Sequence, residues 1–152
     1  MVRIEKTIEI KKSREEIWPM VSFDNLPKWM DFMEKVEWTS KDKDKVGATA
    51  HIFLNVLGIK IESDIEMTEC LENEKRALRS TSEDVTATGS WTLNPIKVGT
   101  NVTVVMDFCL PHSMLGMILE KTFAISGKII EKEIEKGLKK LKEIAEIEIL
   151  SN

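Results

Sequence analysis

"VGATAHIFLNVLGIKIESDIEM", residues 46–67, carries the pattern that decides the fold. Up to position 56 the even positions are apolar: Val46, Ala48, Ala50, Ile52, Leu54 and Val56. From position 59 the odd positions take over, with Ile59, Ile61, Ile65 and Met67. The parity changes at Leu57-Gly58, where a tight turn would pair position 54 with 61, 52 with 63 and 50 with 65. In that register both apolar sets share one face, as a half-buried antiparallel pair requires; a one-residue slip destroys the match. The stretch reads as a β-hairpin.

Further along, "TATGSWTL" (86–93) and "TNVTVVMDF" (100–108) flank the loop "NPIKVG". Pairing Leu93 with Val102 sets Trp91 by Val104, Gly89 by Met106 and Ala87 by Phe108, again on one apolar face. Between the hairpins lies "KRALRSTS" (75–82). Setting Leu78 opposite Met67 brings Ser80 and Ser82 beside Ser63 on the inner face and Arg76 toward Glu69. Before residue 46, "KVEW" (35–38) reads as a strand and "SKDKDK" (40–45) as a solvated loop.

The chain opens on an alternating strand, "VRIEKTIEI" (2–10), in which Lys6 alone interrupts the face of Val2, Ile4, Ile8 and Ile10. Ser13 and Glu16 stand at capping-box spacing, so a short helix starts there and buries Ile17, Trp18 and Val21. A second short helix has Pro27 in its first turn and Leu26, Trp29, Met30 and Met33 at helical spacing. At the other end, "LPHSMLGMILEKTFAISGKII" (110–130) runs into the charged "EKEIEKGLKKLKEIAEIE" (131–148). Together they predict one helix of up to about 35 residues, against a usual length of roughly a dozen. Its stripe is Phe123, Ile130, Ile134, Leu138, Leu141 and Ala145. The expected architecture is α+β: a strand, two short helices, and about six antiparallel strands curled around a long C-terminal helix. At 152 residues this is one domain, residues 1–152.

Composition narrows the function classes. Apolar residues make up 42% and charged residues 32%, which describes a globular chain. The net charge of −4 is spread among interspersed acids and bases, so no basic face invites nucleic acid. Two cysteines, Cys70 and Cys109, and 2 histidines offer neither a disulfide framework nor a metal site. No Gly-rich phosphate loop follows a strand, and no cofactor is expected. The apolar opening of the last helix breaks at Glu120 and Lys121, short of the roughly 20 residues a span needs. The N-terminus has no signal-like apolar run, and the expected compartment is the cytoplasm.

Three pieces now share a likeness: "LPKWMDFMEKVEW", "GSWTLNPIKVGTNVTVVMDFCLP" and a closing helix ending "GLKKLKEIAE". Together they resemble the polyketide cyclase/dehydrase-like branch of the START-domain superfamily, which has the helix-grip fold of the birch-pollen-allergen proteins. The resemblance spans nearly the whole chain and rests on fold markers, with no catalytic signature among them. It implies a cavity between a curled sheet and the last helix, of the kind used for lipids, polyketides or quinones. Quinone-binding and ribosome-associated relatives tend to carry Tyr-Pro where this chain has Leu26-Pro27. The chain contains no Tyr, which argues against that subgroup.

Individual residues sort by face. His51 falls opposite Asp64 on the outward side, a cross-strand contact away from any substrate in preference to an acid/base pair. His112 reads as a loop residue and Ser113 as a helix cap. Lys6 has a side chain long enough to reach solvent from an apolar face. Lys6, Glu69 and Arg76 are the ionisable groups a catalytic reading would have to use.

Ser63, with Ser80, interrupts an otherwise apolar face and must bond backbone, water or ligand. The remaining cavity-wall candidates are Trp29, Met33, Trp38, Ile52, Leu54, Ile65, Met67, Trp91, Met106, Phe108, Met117, Phe123, Gly127 and Ile130. Methionines suit an adaptable wall, and Gly89 and Gly127 leave room. Met114, Leu115, Ile118, Leu119 and Ile125 would form an apolar rim: a gate, a transient membrane contact or a homodimer patch.

The functional expectation is binding or transport of a hydrophobic small molecule, with no stable membrane insertion. The alternative is a cyclase/dehydratase-type enzyme acting in the same cavity.

Overall fold

A computed structural model describes residues 2–83, 86–109 and 127–150, with side chains through 147. Strand β1 (Val2–Ile10) leads to α1 (Arg14–Ile17), two single 3-10 turns at Trp18–Val21 and Phe23–Asn25, and α2 (Leu26–Trp29). Six strands follow: β2 (Met33–Trp38), β3 (Thr49–Val56), β4 (Ile59–Leu71), β5 (Lys75–Ser80), β6 (Thr86–Ile96) and β7 (Gly99–Cys109). Helix α3 (Gly127–Leu150) comes last, and the expected extension of this helix toward residue 114 lies outside the described residues.

The seven strands form one antiparallel sheet in the order β1-β7-β6-β5-β4-β3-β2, with α3 packed across β1. This is the helix-grip architecture. The β3–β4 hairpin has the register that its apolar parity demands: Leu54↔Ile61, Ile52↔Ser63 and Ala50↔Ile65. Leu57 and Gly58 both take positive φ, 51° and 88°, as a two-residue turn between twisted strands requires. The β6–β7 hairpin also follows its parity, with Leu93↔Val102, Trp91↔Val104, Gly89↔Met106 and Ala87↔Phe108.

Between β4 and β5 the expectation fails halfway. Met67 meets Leu78 as predicted, but the register then shifts, so Glu69 faces Ala77 and Arg76 faces Cys70. A β-bulge inserts one residue on one strand and so moves every later partner by one. Strand β5 stops at Ser80; Ser82 lies beyond it and accepts a hydrogen bond from the Asp64 amide at 2.9 Å.

Local signals place the helices. Ser13 Oγ accepts from the Glu16 amide at 3.3 Å and donates to the Glu16 carboxylate at 3.0 Å, fixing the start of α1. Helix α2 lasts a single turn. Met30 is extended (φ −100°, ψ 96°), and Met33, expected on the helix, opens β2. The described part of the α3 stripe, Ile130, Ile134, Leu138, Leu141 and Ala145, is buried as its spacing predicts, with Ile134 and Ala145 fully covered; Phe123 lies outside the described residues. Gly137 lets α3 approach α2: a Cβ there would sit 2.9 Å from the Trp29 carbonyl oxygen. Lys6 pairs with Glu131 and, at 2.8 Å, with Glu135 on α3, the helix packed across β1. No described helix is long and apolar enough to cross a membrane.

Candidate functional site

The inner face of the sheet holds a cavity of about 90 Å³. Its floor crosses the sheet obliquely, from Leu54 and Ile52 on β3, through Ser63 and Ile65 on β4, Leu78 and Ser80 on β5, and Gly89 and Trp91 on β6, to Val104 and Met106 on β7. Each step follows a backbone register: Ile52↔Ser63, Ile65↔Ser80, Leu78↔Gly89, Gly89↔Met106. Met30, Phe32 and Met33 supply the opposite wall. Because alternate residues of a strand share a face, the parity that makes the hairpins also gathers these side chains.

Of the residues singled out from the sequence, Met33, Ile52, Leu54, Ser63, Ile65, Ser80, Trp91 and Met106 line this cavity. The others sit elsewhere. Trp29 is buried under α3, its indole N–H donating to the Met20 carbonyl at 3.1 Å. Trp38 stacks on Phe23 with ring centroids 5.5 Å apart and donates to Asp24 at 2.7 Å. Met67 and Phe108 are packed in the core outside the cavity lining, as is Ile130 on α3. Gly127 leaves no open space, since a Cβ there would lie 3.0 Å from Val2 Cγ1. Met117 and Phe123 lie outside the described residues, as do His112, Ser113 and the apolar rim from 114 to 125.

Beyond these and Gly89, which the sequence singles out as leaving room, seven lining residues escaped the sequence reading: Met30, Phe32, Thr88, Ser90, Leu78, Ala87 and Val104. Thr88 and Ser90 stand on the outward parity of their strand; Leu78, Ala87 and Val104 stood on the inward parity of theirs and were available from the registers. Met30 and Phe32 were not, because reading α2 through to Met33 hides the extended segment that turns them inward.

The polar chemistry of the wall is sparse. Ser63, 2% exposed, lies 2.8 Å from Ser80 Oγ and donates to the Asp64 carbonyl at 3.1 Å. A hydroxyl has one hydrogen, so Ser80 is the donor within the pair. Trp91 is different: it is 4% exposed, and its Nε1–H has no hydrogen-bond partner among the described residues. Among the described residues, no Lys, Arg, His, Asp or Glu lines the cavity.

The ionisable candidates are engaged away from it. Arg76, 1% exposed, holds Asp44 through two 2.7 Å bonds, donates to the Trp18 carbonyl at 2.7 Å and stacks 3.6 Å over the Trp18 ring. Glu69 pairs with Lys75 at 3.3 Å. His51 lies outward between Asp64 and Glu62, 2.8 Å from each, and these carboxylates raise its pKa above the usual histidine value. Burial raises the Cys70 thiol, which donates to the Asp44 carbonyl at 3.3 Å. The described residues form no cluster of three metal-ligating side chains.

Among solved structures, TTHA0849 from Thermus thermophilus superposes with a TM-score of 0.75 at 19% identity, over 95% of this chain and 97% of that one. The ZhuI aromatase/cyclase from Streptomyces sp. R1128 gives 0.72 at 15% identity, over 97% and 95%. The di-domain aromatase/cyclase StfQ of the steffimycin biosynthetic pathway gives 0.74 at 13% identity, over 97% of this chain and 51% of that one. These identities show a shared fold. No curated protein sequence matches the chain. The family model described as "Polyketide cyclase / dehydrase and lipid transport" matches residues 1–146, and the chain belongs to that family.

Proposed function

We propose that this protein binds or carries a hydrophobic small molecule in the cavity on the inner face of its sheet. The observation that carries the reading is the wall itself: side chains from five strands and the Met30–Met33 segment converge on unfilled space, most of them are apolar, and none of the described ones is charged. The driving force is desolvation, about 25 cal/mol per Å² of apolar surface removed from water. The cavity is small against the roughly 300–1,000 Å³ usual for ligand pockets, so a guest enters by moving side chains. Met30, Met33 and Met106 are unbranched and turn at low cost.

Family membership supports the class of ligand, since lipid transport and polyketide cyclisation both handle mainly apolar molecules. The cyclase reading needs an ionisable group in the cavity. Lys6, Glu69 and Arg76 are committed to partners outside it, so binding is the reading that the described residues favour. A cytoplasmic setting accords with the unpaired thiols of Cys70 and Cys109.

Native mass spectrometry of freshly purified protein tests this directly. The expected result is a lipophilic adduct that organic extraction removes and that rebinds with a rise in Tm. Protein free of any adduct, with Tm unmoved by a panel of lipids and aromatic polyketides, overturns it.

A further inference from the structure

Indole N–H groups usually find a partner when buried, and a donor left without one costs about 1–3 kcal/mol. The N–H groups of Trp29 and Trp38 obey that rule, bonding Met20 and Asp24. Trp91, a residue of the cavity wall, breaks it: its N–H has no partner among the described residues. Its ring is held by Phe23, centroid to centroid 5.7 Å, and Phe23 in turn stacks on Trp38. The donor is therefore fixed by packing before any guest arrives, a pre-organised contact that costs no ordering on binding.

The other inner-face polar group cannot do the same work. In the Ser63–Ser80 pair both hydrogens are spent, one on the partner hydroxyl and one on the Asp64 carbonyl. Continuing the β5–β6 register from Arg79↔Thr88 sets Ser80 beside Ala87, four residues along the strand from Trp91. At about 3.3 Å per residue and 4.8 Å between strands, the two backbones stand roughly 14 Å apart. The serine pair cannot satisfy the indole.

We propose that Trp91 Nε1–H is the anchoring contact of the ligand site, and that the ligand is an uncharged, mainly apolar molecule carrying a carbonyl or comparable acceptor oxygen. This rests on the reading of the cavity as a ligand site. A carbonyl oxygen satisfies the orphan donor without bringing a charge indoors. A carboxylate would also accept the bond, but no cationic side chain among the described lining residues would offset its desolvation. A plain hydrocarbon would fill the space and leave the donor unmet.

Three probes of one skeleton separate these cases: 2-acetylnaphthalene, 2-ethylnaphthalene and 2-naphthoate. Their affinities are measured by calorimetry on the wild type and on Trp91→Phe, and indole N–H resonances are followed by nitrogen-15 NMR on the wild type. The ketone is expected to bind roughly 5–10-fold more tightly than the hydrocarbon, the range of one net hydrogen bond, and more tightly than the acid. Trp91→Phe should abolish the ketone's advantage, and the Trp91 indole proton should move downfield with the ketone only.

The NMR readout needs no variant and stands even if Trp91→Phe misfolds. Equal binding of ketone and hydrocarbon, or an indole resonance that ignores the ketone, overturns this proposal and leaves the cavity reading intact. Failure of all three probes to bind overturns both.

Discussion

Arg76 and Asp44, 32 positions apart, are joined by two parallel bonds, Nε to Oδ1 and Nη2 to Oδ2, both 2.7 Å. The pair ties the loop before β3 to the middle of the sheet, and Arg76 extends the tie to Trp18 below α1. Arg76 is 1% exposed, so its charge depends on this partner. Removing one member of a buried pair usually costs about 3–5 kcal/mol, whereas replacing both with apolar groups is often near neutral. Asp44→Asn keeps a residue tolerant of the positive φ found there and, because Asp44 itself is 38% exposed, should destabilise the fold by less than a fully buried pair would, about 1–3 kcal/mol. Arg76→Met in that background should recover much of the loss. Urea unfolding of both single variants and the double variant checks it; strictly additive losses would contradict the coupling.

His51 makes stability depend on pH. Asp64 and Glu62 raise its folded pKa above the usual value near 6.5. A raised histidine contributes stability that is complete below the unfolded pKa and is lost as pH climbs through the folded one. Stability should therefore fall as pH climbs above about 6.5, and His51→Gln should flatten that slope. Denaturant midpoints measured at intervals from pH 6 to pH 9 decide it, and a slope unchanged in the variant would contradict the assignment.

Gly137 reverses an ordinary helix rule. Alanine is better than glycine in a helix interior by about 1 kcal/mol. Here the added methyl would meet the Trp29 carbonyl oxygen at 2.9 Å, and backbone cannot rotate aside. Gly137→Ala should lower stability by about 1–3 kcal/mol, the usual cost of overpacking. Thermal unfolding gives the sign.

Gly89 offers the opposite case. A Cβ there would find its nearest neighbours at 3.8 Å, so Gly89→Ala should fold normally. Gly89→Leu would push a branched side chain into the cavity floor. Under the proposed function it should weaken ligand binding at least about tenfold while the circular dichroism spectrum stays native. Full binding by a folded Gly89→Leu protein would count against the cavity as the site.

Much of this fold was legible because two hairpins are written in parity. Leu54↔Ile61 and Trp91↔Val104 follow from which positions are apolar, and the inward row from Ser63 to Met106 follows from them. What escaped the sequence reading depended on single residues that leave no periodic trace. The register shift after Met67 moves Arg76 from Glu69 to Cys70, and nothing in "EMTECL" marks it. Asp44 stands among alternating Lys and Asp residues that read as solvated loop, so its buried partner was invisible. The early end of α2 was hidden because Met30 and Met33 continue its helical spacing, although only one turn forms. Trp91 was legible as wall, but the lack of a partner for its N–H among the described residues is a fact of three dimensions.

The thioethers of Met30, Met33 and Met106 border a void too small for most lipophilic guests as it stands. Under the proposed function, accommodation becomes a matter of rotamer hopping, while the strands beneath keep their pairing. Such a chamber discriminates poorly by outline and sharply by polarity. Chemically diverse occupants of similar lipophilicity should compete for it, with exchange paced by side-chain rearrangement and not by opening of the sheet.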